Sequence, residues 1–135
     1  VTDMENCLDI KSSSFEKACE QVMKKNPAVK KISTTHRESI SSSHNKISAK
    51  LWNGKELLTS KEYDLTHIVD RVGAGDAYMA GIIYGWLTGK TDQQTIEFSI
   101  AASALKHGME GDVNLASVAE VETLVKGENI GKLLR

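Results

Sequence analysis

The sequence has few of the residues that hold small secreted or metal-binding domains together. Its 135 residues include two cysteines, one proline and 5% aromatic residues. Nothing around Cys7 or Cys19 resembles a Cys-x-x-Cys pair, a metal-ligand pattern or a disulfide framework, so we expect a reducing, cytoplasmic setting. The histidines lack partners at metal-ligand spacing, which argues against a zinc site.

Long apolar runs and an excess of one charge are missing as well. No apolar stretch is long enough to span a membrane, and no signal-type segment opens the sequence. The 17 basic and 18 acidic residues leave a formal net charge of -1, which implies no attraction to nucleic acid or to an anionic membrane. We therefore expect small-molecule or protein partners. The start at Val1 rather than Met suggests that an N-terminal portion is absent.

The first half of the chain predicts a helix followed by short strands. The pair Ser13 and Glu16 has the spacing of a capping box, and Asn26-Pro27 ends the helix that it opens. Residues 29–34 form a β-prone run that leads into a polar loop at residues 34–38. A strand that ends in a polar loop is typical of the active-site edge of an α/β fold.

A hairpin and a third extended segment come next. Apolar and polar residues alternate up to Leu51, and Asn53-Gly54 follows directly, a pair that suits a type I′ turn. Residues 63–69 are predicted to be extended and lead into a glycine-rich turn. The order of these elements, followed by three helices, fits part of an α/β layer fold.

Three helices are predicted in the second half. Residues 76–87 are apolar nearly all round, so we expect this helix to be buried. Asp92 is a candidate N-cap for the next helix, whose buried stripe includes Ile96, Ile100, Ala104 and Leu105 and which Gly108 ends. Ser117 and Glu120 form a second capping box, opening a helix that runs through Lys126.

The segment from Asp70 to Gly81 combines a glycine turn, a helix start and a carboxylate. Gly73 and Gly75 lack a Cβ, so the backbone there can adopt positive φ and bring N–H groups close to a ligand. A helix that starts at Asp76 offers unpaired N–H donors and a partial positive charge to an anion. The carboxylate of Asp76 is then placed to take the proton of an attacking hydroxyl.

This arrangement is the layout of a phosphoryl-transfer centre, but a second interpretation fits the short motif equally well. A glycine turn followed by an Asp N-cap stabilises many helices without any chemistry. Two other motifs are rejected: residues 85–91 have one residue too few between the glycines for a Walker A loop, and no Gly-x-Ser-x-Gly elbow occurs.

The longer pattern resembles a known family. Asp70, the run Gly73-Ala74-Gly75-Asp76 and the small residue Gly81 resemble the C-terminal signature of the ribokinase-like (PfkB) carbohydrate kinases. The segments at residues 68–73, 104–108 and 111–114 look most like those of 2-keto-3-deoxygluconate kinases, although most relatives carry Thr where Arg71 stands. The resemblance implies an α/β fold: the C-terminal part of a ribokinase-like three-layer fold, incomplete.

The resemblance also implies a domain organisation. Residues 1–135 would form a single partial domain, the C-terminal nucleotide-binding half of a sugar kinase, with the N-terminal sugar-binding half and the lid absent. A fragment of this kind is expected to be inactive alone and to bind nucleotide weakly at most. Because a sheet cut through its middle leaves an unpaired edge and uncovered apolar surface, we also expect a homo-oligomer.

The family's catalytic and phosphate-binding roles fall on named positions here. Asp76 would be the catalytic base, and the N–H groups of Gly73, Ala74 and Gly75 would hold the transferring phosphoryl group. Asp70 would lie near the phosphates and help to coordinate a monovalent cation. The region of Thr35 and Arg37 matches the one that approaches ATP phosphates, where a guanidinium can grip phosphate oxygens. A surface salt bridge is an equally good interpretation of Arg37.

The family's adenine pocket falls on Ala101, Ala104, His107 and Gly108. Core packing would explain the alanines equally well, and a histidine at a helix C-terminus can instead stabilise the helix dipole. Asp112 and Asn114 would shape the nucleotide or cation loop, or would simply cap turns.

The implied activity is ATP-dependent phosphorylation of a sugar acid, 2-keto-3-deoxygluconate, to its 6-phosphate in the intact protein. The implied cofactors are ATP and Mg2+, with K+ as the candidate monovalent cation. One alternative is another sugar or nucleoside kinase of the same family, such as a fructokinase or ribokinase. A second is a non-catalytic nucleotide-binding or assembly module.

Overall fold

The computed structural model describes residues 12–127, so Val1 and Cys7 lie outside the described residues. Cys19 is a buried free thiol. The helices and strands follow in the order α1 Phe15–Lys25, β1 Ile32–Ser39, β2 Asn45–Trp52, β3 Leu57–Thr59, β4 Tyr63–Leu65, α2 Ala74–Leu87, α3 Asp92–Lys106 and α4 Val118–Lys126.

Strand β2 is the centre of an antiparallel sheet. It pairs with β1 along one side, and with β3 and β4 at the two ends of its other side. Alternate residues of β2 are buried, because successive side chains of a strand point to opposite faces. The buried side chains of Ile47, Ala49 and Leu51 join the hydrophobic core with residues of α2, α3 and α4.

Two glycines allow α2 and α3 to pack closely. A Cβ on Gly81 would lie 2.6 Å from the Cα of Ser99, and a Cβ on Gly85 would lie 2.6 Å from Oγ1 of Thr95. The predicted buried stripe of α3 is confirmed: Ile96, Ile100, Ala104 and Leu105 are all in the core. Helix α3 is therefore enclosed between the sheet on one side and α2 and α4 on the others.

The predicted polar loop at residues 34–38 is wrong, because β1 continues through it to Ser39. Every residue from Ile32 to Ser39 has a partner on β2, from the pair Ile32–Trp52 to the pair Ser39–Asn45. Most side chains of this edge strand are exposed, so it carries little of the apolar pattern that marks a strand in a sequence. Strand β4 is conversely shorter than the predicted extended segment, ending at Leu65.

Several predicted caps lie one to three residues from the observed ones. Ser14 rather than Ser13 caps α1, accepting a hydrogen bond from the amide of Lys17, and Thr91 rather than Asp92 caps α3. Helix α2 begins at Ala74 with Gly73 as its N-cap. The capping box of Ser117 and the helix ending at Lys126 are confirmed.

Two further expectations need correction. The hairpin turn is not a two-residue type I′ turn, because Trp52 pairs with Leu57 and four residues form the loop. The side chain of Asn53 organises that loop by accepting hydrogen bonds from the amides of Lys55 and Glu56, both at 3.0 Å. Helix α2 is not buried all round: Met79, Ile83, Trp86 and Leu87 are exposed, with Leu87 at 82%.

The close contact of α2 with α3 predicts the effect of Gly81→Ala. We expect the free energy of unfolding to fall by about 1–3 kcal/mol, because the clash with Ser99 outweighs the better helix propensity of alanine. Gly75→Ala in the same helix is the control, since a Cβ there meets nothing within 4 Å. Urea denaturation of both variants checks this, and equal stability changes would contradict the packing described.

Candidate functional site

A cleft of about 380 Å³ opens between β1, the start of α2 and the end of α3. That volume is within the usual range of small-molecule sites. Of the predicted site residues, the cleft brings together Thr35, Arg37, Ala74, Gly75 and His107. These residues come from three separate parts of the chain. The fold brings them together into one site, although they are far apart in the sequence.

Strand pairing places Thr35 and Arg37 on the side of the sheet that faces the helices. Thr35 pairs with Ala49 and Arg37 with Ile47, and both partners are buried on that face. Two residues before Thr35, the hydroxyl of Ser33 lies 2.5 Å from the phenol oxygen of Tyr78 on α2. Strand β1, which continues beyond the predicted run at residues 29–34, therefore sets the position of these side chains relative to α2.

The start of α2 offers backbone N–H groups that the protein itself does not use. Gly73 has a left-handed φ of 78° and makes no side-chain cap, and its carbonyl closes the first helical turn by accepting from Ala77 at 2.9 Å. Among the described residues, the amides of Gly73, Gly75 and Asp76 have no acceptor. The amide of Ala74, which the sequence also places in the anion hole, makes a long 3.4 Å bond to the carbonyl of Arg71.

Only glycine fits at the N-cap position. A Cβ on Gly73 would lie 1.9 Å from the carbonyl oxygen of Asp112, in addition to the strain of its positive φ. The loop at residues 108–114 therefore lies directly on the glycine turn. This contact fixes the backbone from which the unused amides extend.

The environment of Gly75 differs from that of Gly73. It lines the cleft, and a Cβ there would meet no atom within 4 Å. Packing inside the protein thus does not require glycine at this position. Without a side chain, a ligand in the cleft can approach the backbone of the first helical turn closely.

Asp76 is the third residue of α2 and is exposed. Its side chain makes no hydrogen bond within the part of the chain that the structure describes, and it lies just outside the residues that line the cleft. An unused carboxylate beside the unused amides is consistent with a catalytic base, and that role stays a prediction.

Asp70 braces two loops. One carboxylate oxygen accepts from the amide of Val72 and the other from the amide of Gly111, both at 3.0 Å. The bond from Val72 is the main reason that the pKa of Asp70 is lowered, and the amide of Gly111 and the charge of Lys106 add to it. Asp70 is not among the residues that line the cleft, and its role beside the phosphates stays a prediction.

His107 is a neutral member of the cleft wall. Its Nδ1 lies 2.7 Å from the carbonyl of Ser103, so Nδ1 carries the proton and Nε2 remains an acceptor. Burial is the main cause of its lowered pKa, and the cations Lys106, Arg37 and Arg71 contribute. A neutral imidazole does not supply the charge with which a histidine would stabilise a helix dipole.

The cleft residues that the sequence analysis did not assign to the site include His36 and Arg71. Nη2 of Arg71 donates to the carbonyl of Ser42 at 2.6 Å, which ties the glycine turn to the turn between β1 and β2. Together with Arg37 it makes the cleft basic, since none of the lining residues is Asp or Glu. The sequence did contain a signal for Arg71: it is a cationic residue inside the glycine turn, at a position where most relatives carry Thr.

The residues predicted for the adenine pocket divide into two groups. Ala101 and Ala104 are buried in the hydrophobic core and do not line the cleft, as the packing interpretation expects. Gly108 follows the end of α3 and its amide donates to the carbonyl of Leu105 at 3.0 Å. Of the predicted set, His107 alone is among the residues that line the cleft.

Two other features are absent from residues 12–127. No three His, Cys, Asp or Glu side chains are grouped so that they could hold a metal ion. No helix in the same range is both long and apolar enough to cross a bilayer.

Unused amides at a helix N-terminus beside a basic cleft are an arrangement with which α/β proteins can bind anions such as phosphate. The sequence pattern of the pfkB family carbohydrate kinases matches residues 21–117. The chain therefore belongs to the pfkB family of carbohydrate kinases.

Solved structures agree with this family over nearly all of the chain. A pfkB family carbohydrate kinase from Listeria grayi is 32% identical with a TM-score of 0.87, and a 2-dehydro-3-deoxygluconokinase from Thermotoga maritima is 38% identical with a TM-score of 0.85. Each similarity covers 93% of this chain and 39% of the other. A 2-dehydro-3-deoxygalactonokinase from Haloferax volcanii is 29% identical over 66 residues, which are 49% of this chain and 21% of that protein. The chain thus spans about two fifths of the solved kinases.

The buried neutral state of His107 predicts a pH dependence of stability. Its pKa in the folded chain lies below the ordinary 6.5, so the unfolded chain takes up the proton first as the pH falls. Stability is then lost below about pH 6.5, with a slope of at most about 1.4 kcal/mol per pH unit from this group. Chemical denaturation between pH 5 and 7 should show a shallower slope for His107→Gln than for the wild type. Equal slopes for wild type and His107→Gln would contradict the assignment.

Proposed function

We propose that this chain is the nucleotide-binding part of a kinase that transfers the γ-phosphoryl group of ATP to a hydroxyl of a sugar acid. The observation that carries the proposal is the meeting of unused α2 amides with Arg37 and Arg71 at one cleft without a carboxylate. Such a site favours a polyanion, because charge-assisted bonds from guanidinium and from helix N-terminal amides are strong inside a cleft.

The proposed chemistry assigns one task to each group. Arg37 and Arg71 bind phosphate oxygens, and the amides of Gly73, Gly75 and Asp76 stabilise the negative charge of the γ-phosphoryl group as it transfers. The sugar hydroxyl attacks phosphorus in line, forming one O–P bond while the bond to the ADP oxygen breaks. Asp76 accepts the hydroxyl proton, and ADP leaves with the electron pair.

Mg2+ would neutralise phosphate charge when bound. The described residues hold no group of three metal-binding side chains, which suits an ion that arrives on ATP and keeps phosphate and water ligands. The residues of this chain then act on the nucleotide rather than on the metal.

The substrate 2-keto-3-deoxygluconate is the finer part of the proposal. Its support is the local resemblance at residues 68–73, 104–108 and 111–114, together with the 38% identity to the Thermotoga maritima 2-dehydro-3-deoxygluconokinase. A panel of 2-keto-3-deoxygluconate, fructose, ribose and a nucleoside, assayed with a longer chain that contains this segment, separates the proposal from other kinases of the family.

The chain is proposed to work as one partial domain of a longer, cytoplasmic kinase, and to be inactive in isolation. Self-association stays a prediction. Its support is the row of exposed apolar residues Met79, Ile83 and Leu87, spaced four apart on α2.

Asp76→Asn tests the catalytic assignment in that longer chain. Turnover should fall by about a hundredfold or more, because the amide cannot accept the hydroxyl proton, while MgATP affinity changes little. Asp64→Asn is the control, since it removes the same charge from an exposed position on β4, where the carboxylate of Asp64 lies 2.5 Å from Nε2 of His44. Coupled ADP-release kinetics and calorimetric titration measure both quantities, and near-normal turnover would refute the role of Asp76. A chain without saturable MgATP binding would instead be a structural or assembly module.

A further inference from the structure

Lys106, at the end of α3, is a fully buried charged residue that the proposed chemistry does not use. Its relative exposure is 0%, and it is among the largest fully buried side chains. An ammonium has three donors, and the bond recorded for it runs from Nζ to the carbonyl of Met109 at 2.9 Å. Burial of a charge with so little compensation is costly, so a nearby negative group is needed to explain it.

Asp70 supplies that negative charge. The charge of Lys106 is close enough to contribute to the lowered pKa of Asp70. The two groups do not touch, because no ion pair among the described residues joins them. Each instead contacts the backbone of the same loop, Lys106 at the carbonyl of Met109 and Asp70 at the amide of Gly111.

That loop sets the shape of the phosphate site. The next carbonyl along it, that of Asp112, occupies the space beside Gly73 that a Cβ would need. The buried ammonium of Lys106 and the carboxylate of Asp70 therefore contact this loop two residues apart, at Met109 and Gly111. The loop in turn packs against the glycine turn at Gly73. Movement of either anchor would shift the amides at the start of α2.

The expected monovalent cation at Asp70 does not fit these residues well. Both carboxylate oxygens of Asp70 already accept backbone amides, and a second cation would lie near a buried ammonium that repels it. The charge that such an ion would bring is already present in the side chain of Lys106.

We propose that the ammonium of Lys106 is a built-in cation for Asp70, positioning the loop at residues 108–112 on the glycine turn so that phosphate binding needs no monovalent cation. Lys106 is a positioning residue that touches neither nucleotide nor sugar. The inference rests on the proposed function only in taking the glycine turn as the phosphate site.

Thermal unfolding of the chain without nucleotide tests the inference directly. In KCl and in choline chloride of equal ionic strength, the wild-type midpoint should agree within about 1 °C. Lys106→Ala should lower the midpoint in choline by on the order of 10 °C, since it removes a fully buried side chain and its hydrogen bond to the carbonyl of Met109. KCl or ammonium chloride should then recover at least about half of that loss, because the vacated space admits a small cation.

Lys106→Met is the matched control, because it fills the same space without a charge and should show no recovery by either salt. If Lys106→Ala is unfolded in choline, circular dichroism in each salt gives the same readout. A K+-specific rise of more than about 3 °C in the wild type, or no recovery of Lys106→Ala by K+ or ammonium, overturns the inference.

A MgATP titration of the longer chain that contains this segment, in the two salts, separates this inference from the proposed function. Equal affinity in both salts supports the built-in cation, and binding in KCl alone overturns it while leaving the kinase proposal standing. Absence of binding in both salts counts against the kinase proposal, and the unfolding data then decide on Lys106 independently.

Discussion

The amides left without an acceptor at the start of α2 are the feature on which the rest of the site depends. They exist because Gly73 turns the chain at φ 78° and the helix begins directly after it. Their direction is fixed from two sides, by the loop carbonyl of Asp112 against Gly73 and by the close packing of Gly81 and Gly85 on α3. A helix held this rigidly presents its partial positive charge at one place, which is the condition for a preorganised anion site.

The charges around this helix start are arranged in two layers. Arg37 and Arg71 line the cleft itself, where a phosphate would meet them. Asp70 and Lys106 are not among the residues that line the cleft, and they form hydrogen bonds with backbone groups of the glycine turn and of the loop after α3. His107 lines the cleft as a neutral group, because burial and the surrounding cations lower its pKa. The carboxylate of Asp70 therefore braces the structure without cancelling the positive field of the cleft.

Much of this arrangement follows from the sequence, because the signals are local. The glycine turn, the stripe of α3 and the capping box of Ser117 depend on residues within one or two helical turns of each other. The run at residues 29–34 predicts where β1 begins, but its continuation to Ser39 could not be predicted in the same way, since the exposed polar side chains carry no period and the extent of the strand is set by pairing with β2. The burial of Lys106 is a tertiary effect of the same kind, because nothing in a short window shows which loop will cover a lysine.

The central claim is that the first amides of α2 bind phosphate. The most direct measurement is an NMR titration of the ¹⁵N-labelled chain with MgATP. The account predicts saturable shifts of the Gly73, Gly75 and Asp76 amides. Saturable shifts confined to other parts of the chain, with these three amides unchanged, would contradict it.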